Sequence, residues 1–122
     1  MAKKTILVID DEEDFGELVK LNLERTTDYE VVVVTSGEAG LDLIKTHRPD
    51  LVLLDIIMPG MHGIETLERI KALTPDLPVV MMSAVWGEDI FKRCFDAGAH
   101  QFITKPVDFK HFKTAVLDKL FP

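Results

Sequence analysis

Five short apolar runs punctuate this chain, and each is followed by a segment whose apolar positions recur at helical spacing. The runs fall at roughly 5–10, 30–35, 51–55, 78–83 and 101–104. They are rich in Val, Ile and Leu, and most are apolar throughout rather than alternating, as in parallel strands covered on both faces. The segments between them read as helices. Segment 13–26 carries Phe15, Leu18, Val19 and Leu21 as its apolar positions. Segment 37–46 follows Ser36, a suitable N-cap, and carries Leu41, Leu43 and Ile44. Segment 63–73 spaces Ile64, Leu67, Ile70 and Leu73 about one turn apart. Segment 87–97 sets Ile90, Phe91, Cys94 and Phe95 on one stripe and ends near Gly98. Segment 108–121 starts after Pro106, with Asp108 as its cap, and carries Phe109, Phe112, Val116 and Leu120. Connections are short and marked by Pro49, Pro59, Pro75 and Pro78. Five strand–helix units predict an α/β, doubly wound domain with a parallel sheet and helices on both faces.

The polar residues that end these runs carry the candidate chemistry. Ile6-Leu7-Val8-Ile9 ends in Asp10-Asp11, Leu51-Val52-Leu53-Leu54 in Asp55, Val79-Val80-Met81-Met82 in Ser83, and Phe102-Ile103-Thr104 in Lys105-Pro106. In an open parallel sheet, ligands bind in the crevice beyond the carboxyl ends of the strands. Four strand ends therefore deliver three carboxylates, a hydroxyl and an ammonium to one edge. Each has an ordinary reading alone: helix-start acids favoured by the dipole, a turn serine, a solvated lysine. Together they suit a hard divalent cation and a phosphoryl group. Crowded carboxylates disfavour one another's ionisation, and Mg²⁺ relieves that with oxygen ligands. Asp55 is the candidate acceptor, because a carboxylate nucleophile gives an acyl phosphate. Lys105 supplies a cation and Ser83 a hydroxyl for phosphoryl oxygens.

Bulk properties narrow the setting. The chain has 122 residues, fitting one domain, and 47% hydrophobic residues, enough for a core. No run is long enough to span a membrane. The basic start, Met1-Ala2-Lys3-Lys4, meets the acidic Asp10-Asp11-Glu12-Glu13 too soon for a signal peptide, so a cytoplasmic location is expected. One cysteine, Cys94, excludes an internal disulfide and a cysteine metal cage. A net charge of -7 disfavours direct nucleic-acid binding.

Together these motifs resemble the receiver domain of two-component response regulators. The resemblance rests on Asp10-Asp11 after the first strand, Asp55 with Met58-Pro59-Gly60 after the third, Ser83-Ala84 after the fourth and Lys105-Pro106 after the fifth. It covers essentially the whole chain, 1–122, and is to the single-domain type of chemotaxis and sporulation phosphorelays. It implies a flavodoxin-like sheet in strand order 2-1-3-4-5 with five helices. It implies Mg²⁺, with Mn²⁺ as the alternative, held by Asp11, Asp55 and the Ile57 backbone carbonyl, Asp10 acting largely through water. It implies that Asp55 takes a phosphoryl group from a histidine kinase or phosphotransfer protein, and that the receiver catalyses the transfer and later hydrolysis itself. A cis Lys105-Pro106 bond is usual in the family and would aim Lys105 into the site.

The same resemblance makes Ser83 and Phe102 the switch pair. Ser83 would swing toward the phosphoryl group and Phe102 into the space beneath. An effector would read the change on helix 87–97, strand 101–104 and helix 108–121. Many receivers have tyrosine at this place, and phenylalanine, lacking the hydroxyl, should turn inward more readily. Asp14, Phe15 and Leu18, with Pro106 and Val107, form the candidate docking patch for the phosphodonor, although Phe15 and Leu18 also suit a core. Methionines in 58–62 add an adaptable neighbouring surface. Ile57 and Val85 are apolar and cannot orient an attacking water, so a long-lived phosphoryl state is expected. Trp86 is expected to be exposed near the switch. His47, His62, His100 and His111 read as surface residues, and Cys94 as core. Lys110, Lys113 and Lys119 read as a solvated face, with a dimer surface as the alternative, so the chain is a monomer or a phosphorylation-dependent dimer.

Two other functions fit less well. A metal-dependent phosphatase with an aspartyl nucleophile typically carries a second acid two residues on, where this chain has Ile57. A flavodoxin-like cofactor module needs a phosphate-cradling loop after the first strand, where four consecutive acids stand instead. With Pro122 just beyond the last helix, a receiver without an effector domain is expected; a receiver excised from a multidomain transcriptional regulator or hybrid kinase is the alternative.

Overall fold

A computed structural model of the chain describes residues 3–58 and 62–122. Five strands, β1 (Thr5–Ile9), β2 (Glu30–Val34), β3 (Leu51–Asp55), β4 (Val79–Ser83) and β5 (Gln101–Thr104), alternate with helices α1 (Glu13–Thr26), α2 (Gly37–Thr46), α3 (Gly63–Leu73) and α4 (Glu88–Asp96). The closing helix, α5, runs through Phe109–Phe112, a π-helical stretch Lys113–Leu117 and Asp118–Leu120. All strands are parallel, in the order β2-β1-β3-β4-β5. The chain turns one way from β1 to β2 and the other way from β3 onward, which puts a topological switch point beyond β1 and β3.

Strand alternation divides the core into two layers. Leu7 and Ile9, Val52 and Leu54, and Val79 and Met81 face Leu41, Ile44, Ile64, Leu67, Ile70 and Cys94 of α2, α3 and α4. Ile6 and Val8, Leu51 and Leu53, and Val80 and Met82 face Val19 and Leu23 of α1 and Phe112, Val116 and Leu117 of α5. Every residue of β3 and β4 is buried, which is why these runs are apolar without alternation. Ser36 and Asp108 accept backbone hydrogen bonds from Ala39 and His111 at 3.1 Å each and so start α2 and α5.

Several apolar positions lie outside this core. Leu18, Leu21, Leu73 and Phe95 are each about half exposed. In α1 the buried stripe is only Gly16, Val19 and Leu23, because Gly16 sits directly on Val33 and brings that face to the sheet. Leu18 and Leu21 consequently point away, and a core role for Leu18 is excluded. In α5 a π-helical stretch carries Val116 and Leu117, and both are buried beside Phe112. Met58 is buried, 6% exposed, rather than part of an open methionine surface. Pro59, Gly60 and Met61 lie outside the described residues.

Gly63 shows how tightly the helix layer seats on the site strand. A Cβ there would strike the Asp55 carbonyl and the Ile56 backbone, while the Gly63 amide donates to the Ile56 carbonyl at 2.9 Å. Gly63→Ala is expected to cost about 1–3 kcal/mol in denaturant unfolding, since backbone rather than a flexible side chain must move. Gly87→Ala, which meets nothing within 4 Å, is the control and should stay within about 0.5 kcal/mol of the parent chain.

Candidate metal and phosphoacceptor site

Strand register assembles the site. Ile9 pairs with Leu54, Asp55 with Met82, and Ser83 with Thr104, so each functional residue lies at or just past a strand end on one edge. Asp10 follows β1, and its amide donates to the Val34 carbonyl at 3.1 Å. The Ile56 amide donates to the Met82 carbonyl at 3.0 Å and the Lys105 amide to the Ser83 carbonyl at 2.9 Å. These bonds extend the sheet into the loops and hold the carboxylates, hydroxyl and ammonium in place. The Lys105–Pro106 peptide bond is cis.

Asp10, Asp11 and Asp55 offer one ligand oxygen each, all within 4.8 Å of one another. Asp10 is fully buried, Asp55 is 4% exposed and Asp11 is open to solvent. An all-oxygen, multiply charged set with one open flank fits a hard divalent cation and excludes a soft-metal cage. Lys105 ties the cluster together. Its Nζ donates to Asp10 Oδ2 at 2.7 Å and Glu12 Oε1 at 3.3 Å and lies 3.5 Å from Asp55 Oδ2. The same Nζ stands 4.3 Å from the centre of the Phe15 ring. Asp10 Oδ1 accepts from the Glu12 amide at 2.9 Å, so both its oxygens are engaged.

Electrostatics follow from this crowding. Burial, reinforced by the Asp10 charge, pushes the Asp55 carboxyl up to about 6, against the pull of Lys105. Burial alone would lower Lys105, but its hydrogen bond to Asp10 and the Asp55 and Asp10 charges outweigh it, and the ammonium is held above its ordinary value. Ser83 is 1% exposed, and its Oγ accepts from the Val85 amide at 3.0 Å. Ile57 and Val85 stand about half exposed at the rim.

Phe102 on β5 packs edge-on to Phe91 of α4, ring centres 4.6 Å apart, and Phe91 stacks near-parallel on Trp86 at 6.5 Å. Trp86 is 66% exposed on its outer side. Phe102 lines a cleft of about 240 Å³ with Phe91, Pro106, Val107 and His111. Asp14 and Leu18 are exposed on α1, and Phe15 and Val107 are half-buried against the outer margin of the α1–α5 core layer. The four histidines are exposed; His62 caps α3, its Nδ1 accepting from the Ile64 amide at 3.3 Å. A wider cavity of about 560 Å³ lies at the other end of the sheet. Its charged residues are already partnered: Arg48 pairs with Asp76 across the cavity wall at 3.3 Å, Lys71 donates to the Leu77 carbonyl at 2.8 Å and Asp50 accepts from the Thr5 amide at 2.8 Å.

Three features escaped the sequence reading. Glu12 is a second carboxylate partner of Lys105, legible only as a third acid one residue beyond the pair. Phe15 lies against the Lys105 ammonium, and its helical position suggested only core or docking. Phe91 is the middle ring of an aromatic trio, a contact that requires knowing how α4 crosses β5.

Residues 6–117 match the family model of the response regulator receiver domain. Sporulation initiation phosphotransferase F of Bacillus subtilis is 34% identical over 117 residues, covering 95% of this chain and 93% of that protein. The transcriptional regulatory protein MalR of Bacillus subtilis is 32% identical over 114 residues, 93% of this chain but 48% of that one. The chain thus spans about half the length of several curated relatives it matches. Among solved structures, a CheY-like receiver domain protein from Methanospirillum hungatei superposes with a TM-score of 0.91 at 30% identity, covering 98% of this chain and 94% of that one. With the match running from the first strand into the last helix, the chain belongs to the response regulator receiver family.

Proposed function

We propose that Asp55 is the phosphoacceptor of a signalling switch spanning this chain. The observation that carries the reading is the cluster of Asp55, Asp10, Asp11 and Lys105 at the switch point of the sheet. Sporulation initiation phosphotransferase F, similar over nearly its whole length, supports a phosphorelay setting.

The reaction follows from the positions of the groups. An Asp55 oxygen attacks the phosphorus of a phosphohistidine protonated on its other ring nitrogen; the P–O bond forms as the P–N bond breaks, and the ring leaves as neutral imidazole with the electron pair. Lys105, 3.5 Å from Asp55, neutralises a phosphoryl oxygen, and the Ser83 O–H donates to another. Asp10, Asp11, Asp55 and the Ile57 carbonyl would hold Mg²⁺, or Mn²⁺ in its place. The bound cation would offset the charge that otherwise keeps an anionic carboxylate from a phosphoryl group. The same groups would serve both the transfer to Asp55 and the later hydrolysis of the acyl phosphate by water.

Partners follow from the surfaces. A histidine kinase or histidine phosphotransfer protein would approach across Asp14, Phe15 and Leu18 of α1 with Pro106 and Val107. Leu18 is exposed, which supports this use of the α1 face. An effector would read α4, β5 and α5, where Phe102 lines the cleft and Ser83 is its partner in the switch. The setting is cytoplasmic, without direct nucleic-acid or membrane contact; among the described residues no helix is long and apolar enough to cross a membrane. A second reading, a receiver within a multidomain transcriptional regulator or hybrid kinase, is favoured by the half-length match to MalR.

Incubation with acetyl phosphate should add one phosphoryl group by intact mass, only with Mg²⁺ present and only while Asp55 is intact. An adduct that persists in Asp55→Asn would disprove the assignment.

The displaced Asp55 titration gives a stability signature in metal-free buffer. Its carboxyl ionises near 3.8 in the unfolded chain and at about 6 in the folded one. Between those values the folded chain binds more protons, so stability is full below the lower value and falls as pH rises through the upper. Asp55→Asn should therefore exceed the parent chain by on the order of 2–3 kcal/mol near neutral pH, the gap closing below about pH 4. Urea unfolding in EDTA across this range reads it directly.

Ile57→Asn should accelerate loss of the phosphoryl group by placing a hydrogen-bonding side chain where an apolar one now stands. Equal decay of the two acyl phosphates would show that Ile57 does not shield it.

A further inference from the structure

We propose that Phe15 is a positioning residue for phosphoryl transfer, its ring face holding the Lys105 ammonium against the acceptor carboxylate. This rests on the reading of Asp55 as phosphoacceptor. The Lys105 ammonium is 4.3 Å from the ring centre, within the range of a cation–π contact, and the lysine side chain is only 11% exposed. Desolvation strengthens such a contact. The ring is itself fixed. Phe15 lies in the first turn of α1 and packs on the core layer formed with α5. Its neighbour Gly16 rests on Val33, where a Cβ would not fit, so α1 is pinned to the sheet beside the ring.

The need for a neutral holder follows from competition. Lysine carries three N–H donors on a flexible four-carbon stem. In this structure those donors face Asp10 at 2.7 Å, Glu12 at 3.3 Å and Asp55 at 3.5 Å. Two of these carboxylates, Asp10 and Asp55, belong to the set that would hold a divalent cation, and Asp55 is also the nucleophile. Both therefore have less charge to offer the lysine once metal and phosphoryl group arrive. The π face of Phe15 takes no metal and is not consumed by the reaction. It keeps the ammonium at the site while its carboxylate contacts are exchanged for phosphoryl oxygens.

The test compares aromatic with aliphatic replacements. The full chain and its Phe15→Leu, Phe15→Tyr and Phe15→Trp variants are incubated with acetyl phosphate and Mg²⁺, and the rate of adduct formation is followed by intact mass. Phe15→Leu should slow it by about threefold to tenfold, and the aromatic variants should restore most of the rate. A packing role predicts the opposite order, because leucine fits an apolar margin more easily than tryptophan. Should Phe15→Leu not fold, Phe15→Met takes its place. A second readout needs no reaction: in urea unfolding, Phe15→Leu and Lys105→Met should be non-additive by about threefold in the unfolding constant. Equal rates for Leu and the aromatic variants, or additive unfolding constants, would overturn the proposal and leave Asp55 as acceptor. No adduct on the parent chain would overturn both.

Discussion

The structure turns on the cost of bringing three carboxylates to one edge of a sheet. Asp10 and Asp55 are buried and close, and Asp11 adds a third charge from the solvent side. Like charges so placed, with little water between them, oppose one another's ionisation. Within the chain the compensation comes mainly from Lys105, which reaches Asp10, Glu12 and Asp55 with one ammonium. The balance is incomplete, as the displaced Asp55 carboxyl shows. A site left short of positive charge is prepared for a cation and for chemistry on an anionic group. On the proposed reading, the fold accepts a less stable site in return for a reactive one.

That arrangement depends on the sheet being rigid and in register. Side chains alternate along a strand, so a slip of one residue in β3 would turn Asp55 into a helix-packed layer and bring a leucine to the crevice. The register is secured by burial on both faces, with β1, β3 and β4 interdigitating with five helices. The helices in turn constrain the loops. The Gly63 contact with Asp55 and Ile56 makes the start of α3 part of the site's floor. Packing and chemistry are thus linked through backbone contacts that no catalytic side chain makes.

Much of this was legible in the sequence because it depends on local, periodic signals. Unbroken apolar runs ending in Asp, Ser or Lys marked the strands and their edge, and Ser36 and Asp108 marked helix starts. Helix faces were less legible where an apolar residue lay outside the packed stripe. Leu18 and Leu21 follow helical spacing, yet the close approach of Gly16 to Val33 decides which face of α1 is buried. In α5 a π-helical stretch changes the period locally, and Leu117 joins the buried face beside Val116. At the site, the charged residues were visible as strand-end residues. The ring beneath Lys105 was not, because a lysine just past β5 and a phenylalanine on α1 meet only after the sheet has formed.

The aromatic trio suggests how the proposed switch would be restrained in this chain. Phe102 lacks a hydroxyl and so has no polar reason to stay at the surface. Its outward contact is instead Phe91, whose edge-on approach at 4.6 Å is a favourable aromatic geometry. Phe91 also carries Trp86, which follows the Ser83–Val85 turn. The loop that Ser83 begins and the ring it would release are therefore joined through α4. An inward turn of Phe102 would give up its contact with Phe91, and a shift of the loop would disturb the Trp86 stack on the same ring. The response of Ser83 to a phosphoryl group on Asp55 and the shape of the α4–β5 surface would then be coupled by packing on one side chain rather than by a hydrogen bond to a tyrosine.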